Sequence, residues 1–319
     1  MMIQTDYTIE NPNGVALKDA VFQTDQEVMV SISSLVFNHV QFIEEAIEGF
    51  LMQRTNFKVE IVIHDDASTD GTTDILRKYE AQYPHLVKLF VQPFNTHNHP
   101  NRFELRSAFR NGRTGKYIAI CEGDDYWTDP FKLQKQVDFL EANEEYVMCF
   151  HNVNVKTEVK GINLYSDFVW SNIDPHRDVY DIRDVIAGPL IPTCSLVYRK
   201  PLDFNIPVFS SQVMSGDMML AMLITKDYKI KYFNQCWGVY RKHRGGITST
   251  HKGDTIHANR IYLYLRMLEY YNFKYQRDFV KVIKRHFLQL NSLSLLSKED
   301  RKVLKRLIPI DYFLKRIKS

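Results

Sequence analysis

Cysteine is scarce in this 319-residue chain: Cys121, Cys149, Cys194 and Cys236 are the four, with no Cys-x-x-Cys pair and no metal-ligand spacing. A disulfide scaffold and a thiolate zinc site are thereby excluded. Three of the four sit in apolar, strand-like runs, where buried free thiols in a reducing compartment are expected. Long apolar runs are also missing. The longest, residues 28–37, falls well short of the ~20 residues a spanning helix needs. The start, MMIQTDYTIENPNG, has no basic stretch leading into an apolar one, so no secretory signal is expected and the protein reads as cytoplasmic. There is no GxxxxGK(S/T) or GxGxxG loop, which removes the usual phosphate-loop and dinucleotide readings. Excess charge is lacking too: 41 Lys and Arg against 38 Asp and Glu leave +3. That is too balanced for nucleic-acid binding by the whole surface.

What is present is ordinary globular material, 45% hydrophobic and 25% charged, which excludes disorder over the bulk of the chain. The even balance hides an asymmetry. Residues 274–319 carry 13 Lys and Arg against 4 Asp and Glu, so this end is strongly basic and the remainder mildly acidic. Residues 1–26 are polar and aperiodic and read as a surface extension. VMVSISSLVF, KVEIVIH, LVKLFVQ and KYIAIC read as buried strands. Between them lie helical patterns around Phe42 to Leu51, Thr72 to Tyr83 and Phe103 to Asn111. Strand alternating with helix, with continuous apolar strands, predicts a mostly parallel, Rossmann-like α/β sheet with helices on both faces. Past residue 150, MCFHNVNV, SLVY and IKYFN read as strands and MMLAMLI as a helix. From His257 onward the pattern is helical and rich in Tyr, Leu and Lys. The expected organisation is an extension (1–26), an α/β domain (27–256) and a helical basic C-terminal region (257–319).

Ligands of open α/β sheets bind outside the carboxyl ends of the strands. There the chain concentrates its acids. DDASTDGT, after the second strand, has a plain reading as a strand-to-helix turn capped by Asp66, Ser68 or Asp70. That leaves unexplained why two adjacent carboxylates end an apolar strand, a placement a ligand N–H donor would satisfy. EGDDYWTDP, after the fourth strand, puts Glu122, Asp124 and Asp125 within four residues. Such acids repel one another unless a cation or donors compensate, and Mg²⁺ or Mn²⁺ bound by carboxylate would neutralise a diphosphate leaving group. The plain alternative is a solvated acidic turn beside Trp127 and Pro130. A haloacid-dehalogenase-type phosphatase would need Asp-x-Asp where this chain has Asp65-Asp66-Ala67.

Together VSISSLVFNHVQFIEEAIEGFLMQ, VEIVIHDDASTDGT and GKYIAICEGDDYW, in that order, resemble the family 2 glycosyltransferases, inverting enzymes of GT-A fold. The resemblance runs over residues 28–246. It implies that Phe37 lies against a nucleotide base and that Asn38 follows it at the strand end. It makes Asp66 the acceptor of the base N–H, with Asp65 shaping the turn. It assigns Asp125 to the metal and Asp124 to ribose or metal, while Glu122 stands where the family more often has Asp. In SGDMMLAMLI it makes Asp217 the catalytic base, although Gly216 replaces a common Glu and an N-cap role would also suit the residue. GVYRKHRGGITS resembles the loop over the donor diphosphate, with Arg241 and Arg244 as phosphate contacts and His243 as a metal or phosphate ligand. The loop PFNTHNHPNRFELRSAFRNGRTG departs from the family, leaving Arg102 and Arg113 as candidates for the donor sugar.

The implied reaction is a metal-assisted single displacement of a hexosyltransferase (EC 2.4). A sugar moves from a nucleotide-diphosphate donor, a UDP-sugar by preference, to a hydroxyl of a glycan or lipid-linked saccharide, as in bacterial polysaccharide biosynthesis. A nucleotidyltransferase acting on sugar phosphates would want a Gly-rich basic loop where the chain has Phe37-Asn38-His39. An inactive sugar-nucleotide binding module would be expected to lack a base. The plain reading of the C-terminal helices is packing against the body. The sharper one is peripheral contact with anionic lipid at the inner face of a membrane.

Overall fold

The structure, a computed structural model, describes residues 14–22, 25–159, 162–167, 173–201, 206–243 and 253–308. Its strands are β1 (Val15–Ala16), β2 (Val28–Val36), β3 (Arg54–Thr55), β4 (Lys58–Asp65), β5 (Val87–Val91) and β6 (Tyr117–Ile120). They continue with β7 (Tyr126–Trp127), β8 (Tyr146–Val159), β9 (Ile162–Asp167), β10 (Val179–Tyr180), β11 (Val197–Arg199) and β12 (Lys229–Lys242). The helices are α1 (Ile43–Leu51), α2 (Thr72–Gln82), α3 (Arg102–Leu105), α4 (Ser107–Gly112) and α5 (Lys132–Ala142). After them come α6 (Ile182–Ala187), α7 (Gly216–Thr225), α8 (Asp254–Tyr270), α9 (Gln276–Gln289) and α10 (Lys298–Leu307).

The main sheet runs β10-β12-β8-β11-β6-β2-β4-β5, with β7 on β12 and β9 on β8. Strands β5, β4, β2 and β6 are parallel, as their largely apolar sequences alternating with helices predict. Strand β11 enters antiparallel between β6 and β8, and β8 and β12 then pair in parallel. Neighbouring residues along a strand fall into two different apolar clusters: Ile118 against Ala119, Met148 against Cys149, Leu196 against Val197. Side chains alternate across a strand, so the two clusters cover opposite faces of the sheet. One contains α1, α2 and α5; the other contains α7, α8 and α9.

Both ends of the described chain are tied to the body. The segment read as a surface extension is tied to the body from Gly14 onward. Leu17 is fully buried, its N–H bonds to the Gln53 carbonyl at 2.8 Å, and β1 pairs with β3. Burying one leucine contributes roughly 1.5–3 kcal/mol, enough to hold a short polar segment down. At the other end, α8 begins at Asp254 and shares its apolar cluster with α7 and β8. The C-terminal helices are therefore packed into the core of the sheet. Cys121, Cys149 and Cys194 are buried free thiols, as expected. No described helix is long and apolar enough to cross a membrane.

Candidate active site

Four loops meet at the carboxyl edge of β2, β4, β5 and β6, and polar bonds clamp the first three together. Asn38, just past β2, takes a left-handed φ of 56°, which asparagine tolerates better than most side chains. Its N–H bonds to Ser68 Oγ at 2.9 Å, and its Oδ1 accepts from the Thr69 N–H at 2.8 Å. The His39 and Val40 amides bond to Thr72 Oγ1 and Asp70 Oδ2. Asp65 spends both oxygens inside the turn, on the Ser68 amide and hydroxyl and on the Thr73 hydroxyl. That is the turn-shaping role the sequence suggests. Phe37, just past the end of β2, is 42% exposed.

Asp66 is buried yet heavily bonded. Its Oδ1 accepts from the Thr96 amide at 2.9 Å and from the Thr96 hydroxyl at 2.5 Å. Its Oδ2 is paired with Arg106 Nη2 at 2.8 Å. Arg106 also donates to Thr96 Oγ1 at 2.8 Å, closing a three-residue ring. Oδ2 keeps acceptor capacity for one further donor. Neither Thr96 nor Arg106 stands out in the sequence; the available signal is the spacing of Arg102, Arg106 and Arg110 along one helical stretch. Arg102 is a brace, donating to the carbonyls of His97, Ser210 and Val213. Arg113 reaches Ser33 Oγ at 3.3 Å and lies over the Phe109 ring.

The acidic motif turns between β6 and β7. Gly123 is required there, because a Cβ would come within 2.8 Å of Val36 and 2.9 Å of His39. Its close approach sets Asp124 against β2. Asp124 Oδ2 lies 3.0 Å from His243 Nε2 and 3.9 Å from His39 Nε2. Its Oδ1 is buried and has no hydrogen-bond partner. Burial works against its charge, but the His243 bond and nearby His39 hold its carboxyl below the usual range. Asp125 is buried more deeply, at 1% exposure, and its Oδ1 accepts the Arg241 N–H at 2.8 Å. Burial and the neighbouring Asp124 push its carboxyl well up. Glu122 is pushed up to about 8 by burial, by Asp124 and by Asp217. The surroundings thus pull the three acids in different directions, Asp124 down and Asp125 and Glu122 up.

That same dependence of Glu122 on Asp217 brings α7 to the motif. Asp217 is exposed and is the second residue of α7; the capping position is Ser215, so the plain N-cap reading does not describe it. Arg241 is 6% exposed and held beneath the motif. Its Nη1 donates to the Asp124 carbonyl at 2.6 Å, its Nη2 pairs with Glu45, and its guanidinium lies over Tyr126 and Phe42. A small cavity of about 200 Å³ opens beside it, lined by Phe42, Glu45, Lys156, Lys242 and His243. Arg244 falls outside the described residues. Bonds thus join Asp124, Asp125, Arg241 and His243 in one cluster, His39 ties that cluster to the turn that holds Phe37, Asn38 and Asp66, and Asp217 is linked to it through the charge it sets beside Glu122. His39, Glu45 and Arg106 are the additions the sequence did not single out.

Glycosyl transferase family 2 matches residues 31–204, more than half of the chain. An uncharacterized protein of Mycobacterium tuberculosis is 38% identical over 219 residues, which is 68% of this chain and 60% of the relative. The chain therefore spans about 60% of the length of that relative. The Escherichia coli UDP-Glc:alpha-D-GlcNAc-diphosphoundecaprenol beta-1,3-glucosyltransferase WfaP is 30% identical over 138 residues, 43% of this chain and 51% of its own. Among solved structures, S. aureus TarS in complex with UDP-GlcNAc is similar with a TM-score of 0.59 at 16% identity, over 89% of this chain and 80% of that one. Mannosyltransferase PcManGT from Pyrobaculum calidifontis, in complex with GDP-Man and Mn²⁺, is similar with a TM-score of 0.54 at 13% identity, over 96% and 86%. At those identities the likeness is one of fold, and the fold is GT-A. With the family match covering the strands that carry the acids, the chain belongs to glycosyl transferase family 2.

Proposed function

We propose that the protein transfers a sugar from a nucleoside diphosphate donor, a UDP-sugar first, to a hydroxyl of a glycan or lipid-linked saccharide, with inversion. The observation that carries this reading is the placing of Asp66 and Asp124 just past the carboxyl ends of β4 and β6, the two strands that flank β2, with Asp217 of α7 close enough to act on Glu122 of the same motif. The base stacks on Phe37, and its N–H donates to the remaining acceptor position of Asp66. Asp217 takes the proton of the acceptor hydroxyl as that oxygen bonds to the anomeric carbon, and the carbon–phosphate oxygen bond breaks with its electron pair leaving on the nucleoside diphosphate. Arg241 is a positioning residue: it ties Asp124, Asp125 and Glu45 together from below. The donors named for TarS and WfaP support a UDP-sugar, and that named for PcManGT supports a nucleotide sugar more broadly. WfaP's name, with its diphosphoundecaprenol-linked GlcNAc, also supports a lipid-linked saccharide as the acceptor.

The residues fit a divalent cation of the Mn²⁺ or Mg²⁺ kind. Asp124 Oδ1 is a buried oxygen without a donor, and His243 stands on the same carboxylate. Among the described residues no group of three or more His, Cys, Asp or Glu is placed to hold a metal ion by itself. Such a cation is commonly held by one or two protein ligands, with phosphate oxygens completing the shell. Asp124 and His243 would hold it, whereas Asp125, the ligand implied by the family resemblance, has an oxygen engaged by the Arg241 amide. When bound, it would stabilise negative charge on the departing diphosphate. Thermal-shift titration with nucleotides and nucleotide sugars, with and without Mn²⁺, tests the donor site. A ligand at 100 times its dissociation constant adds about 2.7 kcal/mol. Asp124→Asn should remove the Mn²⁺-dependent part of that shift. A full shift in this variant would refute the assignment.

A further inference from the structure

A second groove lies away from the acidic motif. It has a volume of about 1160 Å³ and runs between the start of α6, the α8–α9 turn, the outer side of α9 and Leu307 at the end of α10. Six cations line it: Arg183, Lys274, Arg277, Lys281, Lys284 and Arg285. Asp278 is the sole acid in that lining. The buried side of α9, formed by Phe279, Val282, Ile283 and Phe287, packs into the core. The opposite side repeats Arg277, Lys281, Arg285 and Leu288 at helical spacing, and Leu288 is 46% exposed. The turn before α9 adds a second feature. Asn272 and Phe273 both take left-handed φ values, 48° and 63°, which non-glycine residues avoid. The outcome of that strained turn is a phenylalanine held 50% exposed at the rim of the groove.

We propose that the outer face of α9, together with the α8–α9 turn, docks on an anionic lipid bilayer. This goes beyond the proposed reaction and does not depend on it. Charge complementarity selects the occupant. Residues 309–319 carry Lys315, Arg316 and Lys318 against Asp311, the same sign as the groove, so the chain's own end is no counterpart. A bilayer supplies both things this face presents for: phosphate charge for the cationic stripe, and an acyl boundary for Phe273 and Leu288.

The test is sedimentation of the full chain with vesicles of phosphatidylcholine alone or of phosphatidylcholine mixed with phosphatidylglycerol. The wild type should pellet with the anionic vesicles and stay in solution with the neutral ones. Each cation near such a surface is worth roughly fivefold in partitioning. Arg277→Glu with Lys281→Glu should therefore weaken binding at least about 25-fold. Phe273→Gly suits the left-handed backbone, so it should keep or raise the melting temperature while weakening binding severalfold. That behaviour separates lost docking from lost folding. Equal pelleting with both vesicle types, or none with either, overturns the proposal. So does anionic binding that survives the α9 double variant, or that is abolished by reversing Lys315, Arg316 and Lys318 alone. Nucleotide thermal shifts should be the same in all these variants, so failure here leaves the donor-site reading standing.

Discussion

Lys132 opens α5 and is completely buried, with its Nζ lacking any hydrogen-bond partner. The ammonium lies 3.8 Å from the centroid of the Trp127 ring, and Cys121, Cys149 and Cys194 surround it. Burial pushes its pKa from 10.5 down to about 7. At 1.36 kcal/mol per unit, that shift corresponds to roughly 5 kcal/mol of penalty for holding the charged form in place. Replacing Lys132 by methionine, which keeps the length and drops the charge, should therefore stabilise the protein by roughly 4 kcal/mol near pH 6.5, where the native amine is still mostly protonated. Gains of about 1–4 kcal/mol are usual when a buried ion gives way to a packed apolar group. The pH dependence has a fixed sign. The native chain releases this proton near pH 7, whereas the unfolded chain keeps it to about 10.5. Between those values the unfolded state binds more protons, so wild-type stability gains from this residue as pH rises. Urea unfolding of both proteins at about pH 6.5 and 9.5 measures it, because other titrating groups cancel in the difference. The advantage of Lys132→Met should shrink by about 3 kcal/mol across that range. A variant less stable than wild type at the lower pH, or a difference that stays constant, would refute the reasoning.

Asp217→Asn should keep nucleotide thermal shifts and lower transfer by about 10²- to 10⁴-fold, read by release of nucleoside diphosphate; transfer within twofold of wild type would remove the base assignment. Arg106→Met leaves the buried Asp66 without its guanidinium and should cost about 3–5 kcal/mol in urea unfolding, a loss that Arg106→Lys only partly restores. Acid should act through His64, which burial and then Arg106 lower to about 4. The unfolded chain protonates this group near 6.5 and the native one does not, so stability should fall by up to about 1.4 kcal/mol per pH unit between those values, less steeply in His64→Phe. For Asn38 the expected stability order is Asn above Gly above Ala. Glycine loses the bond to the Thr69 amide but accepts the left-handed backbone, whereas alanine loses the bond and keeps the strain; alanine equal to glycine in thermal melts would contradict this.

The parallel half of the sheet was legible because β2, β4, β5 and β6 are each dominated by apolar and β-branched residues and alternate with helical patterns. The same rule fails wherever a buried face is partly polar. Helix α5 was not anticipated because Lys132, Gln134 and Gln136 sit on its buried side among Leu133, Val137 and Leu140, which blurs the apolar stripe. Gln136 is accommodated by bonding to the carbonyls of Cys149 and Ser195, partners no local pattern contains. Strand β12 was read only over IKYFN. Irregularities between Phe233 and Cys236 and between Cys236 and Val239 break its alternation, so its second half passed for loop. The single helix expected over Phe103 to Asn111 is divided at Arg106, the residue that turns to meet Asp66.

The same contrast holds within the site. Which residues gather there could be seen, because acids at the carboxyl ends of apolar strands have few other uses. What each one does depends on bonds that span the fold. Asp66 and Arg106 are 40 residues apart, and Asp124 and His243 are 119 apart. The division of labour between Asp124 and Asp125 is the sharpest case. Adjacent in sequence and equal in chemistry, they differ because β7 returns along β12, with Tyr126 opposite Val239. That pairing turns Asp125 inward onto the Arg241 amide and leaves Asp124 facing the two histidines. A one-residue slip in this pairing would send the two side chains to opposite faces and exchange their surroundings. Short as it is, β7 therefore decides which carboxylate turns inward, and the geometry of the motif rests as much on Trp127, fixed by its bond to the Cys194 carbonyl at 2.6 Å, as on the acids themselves.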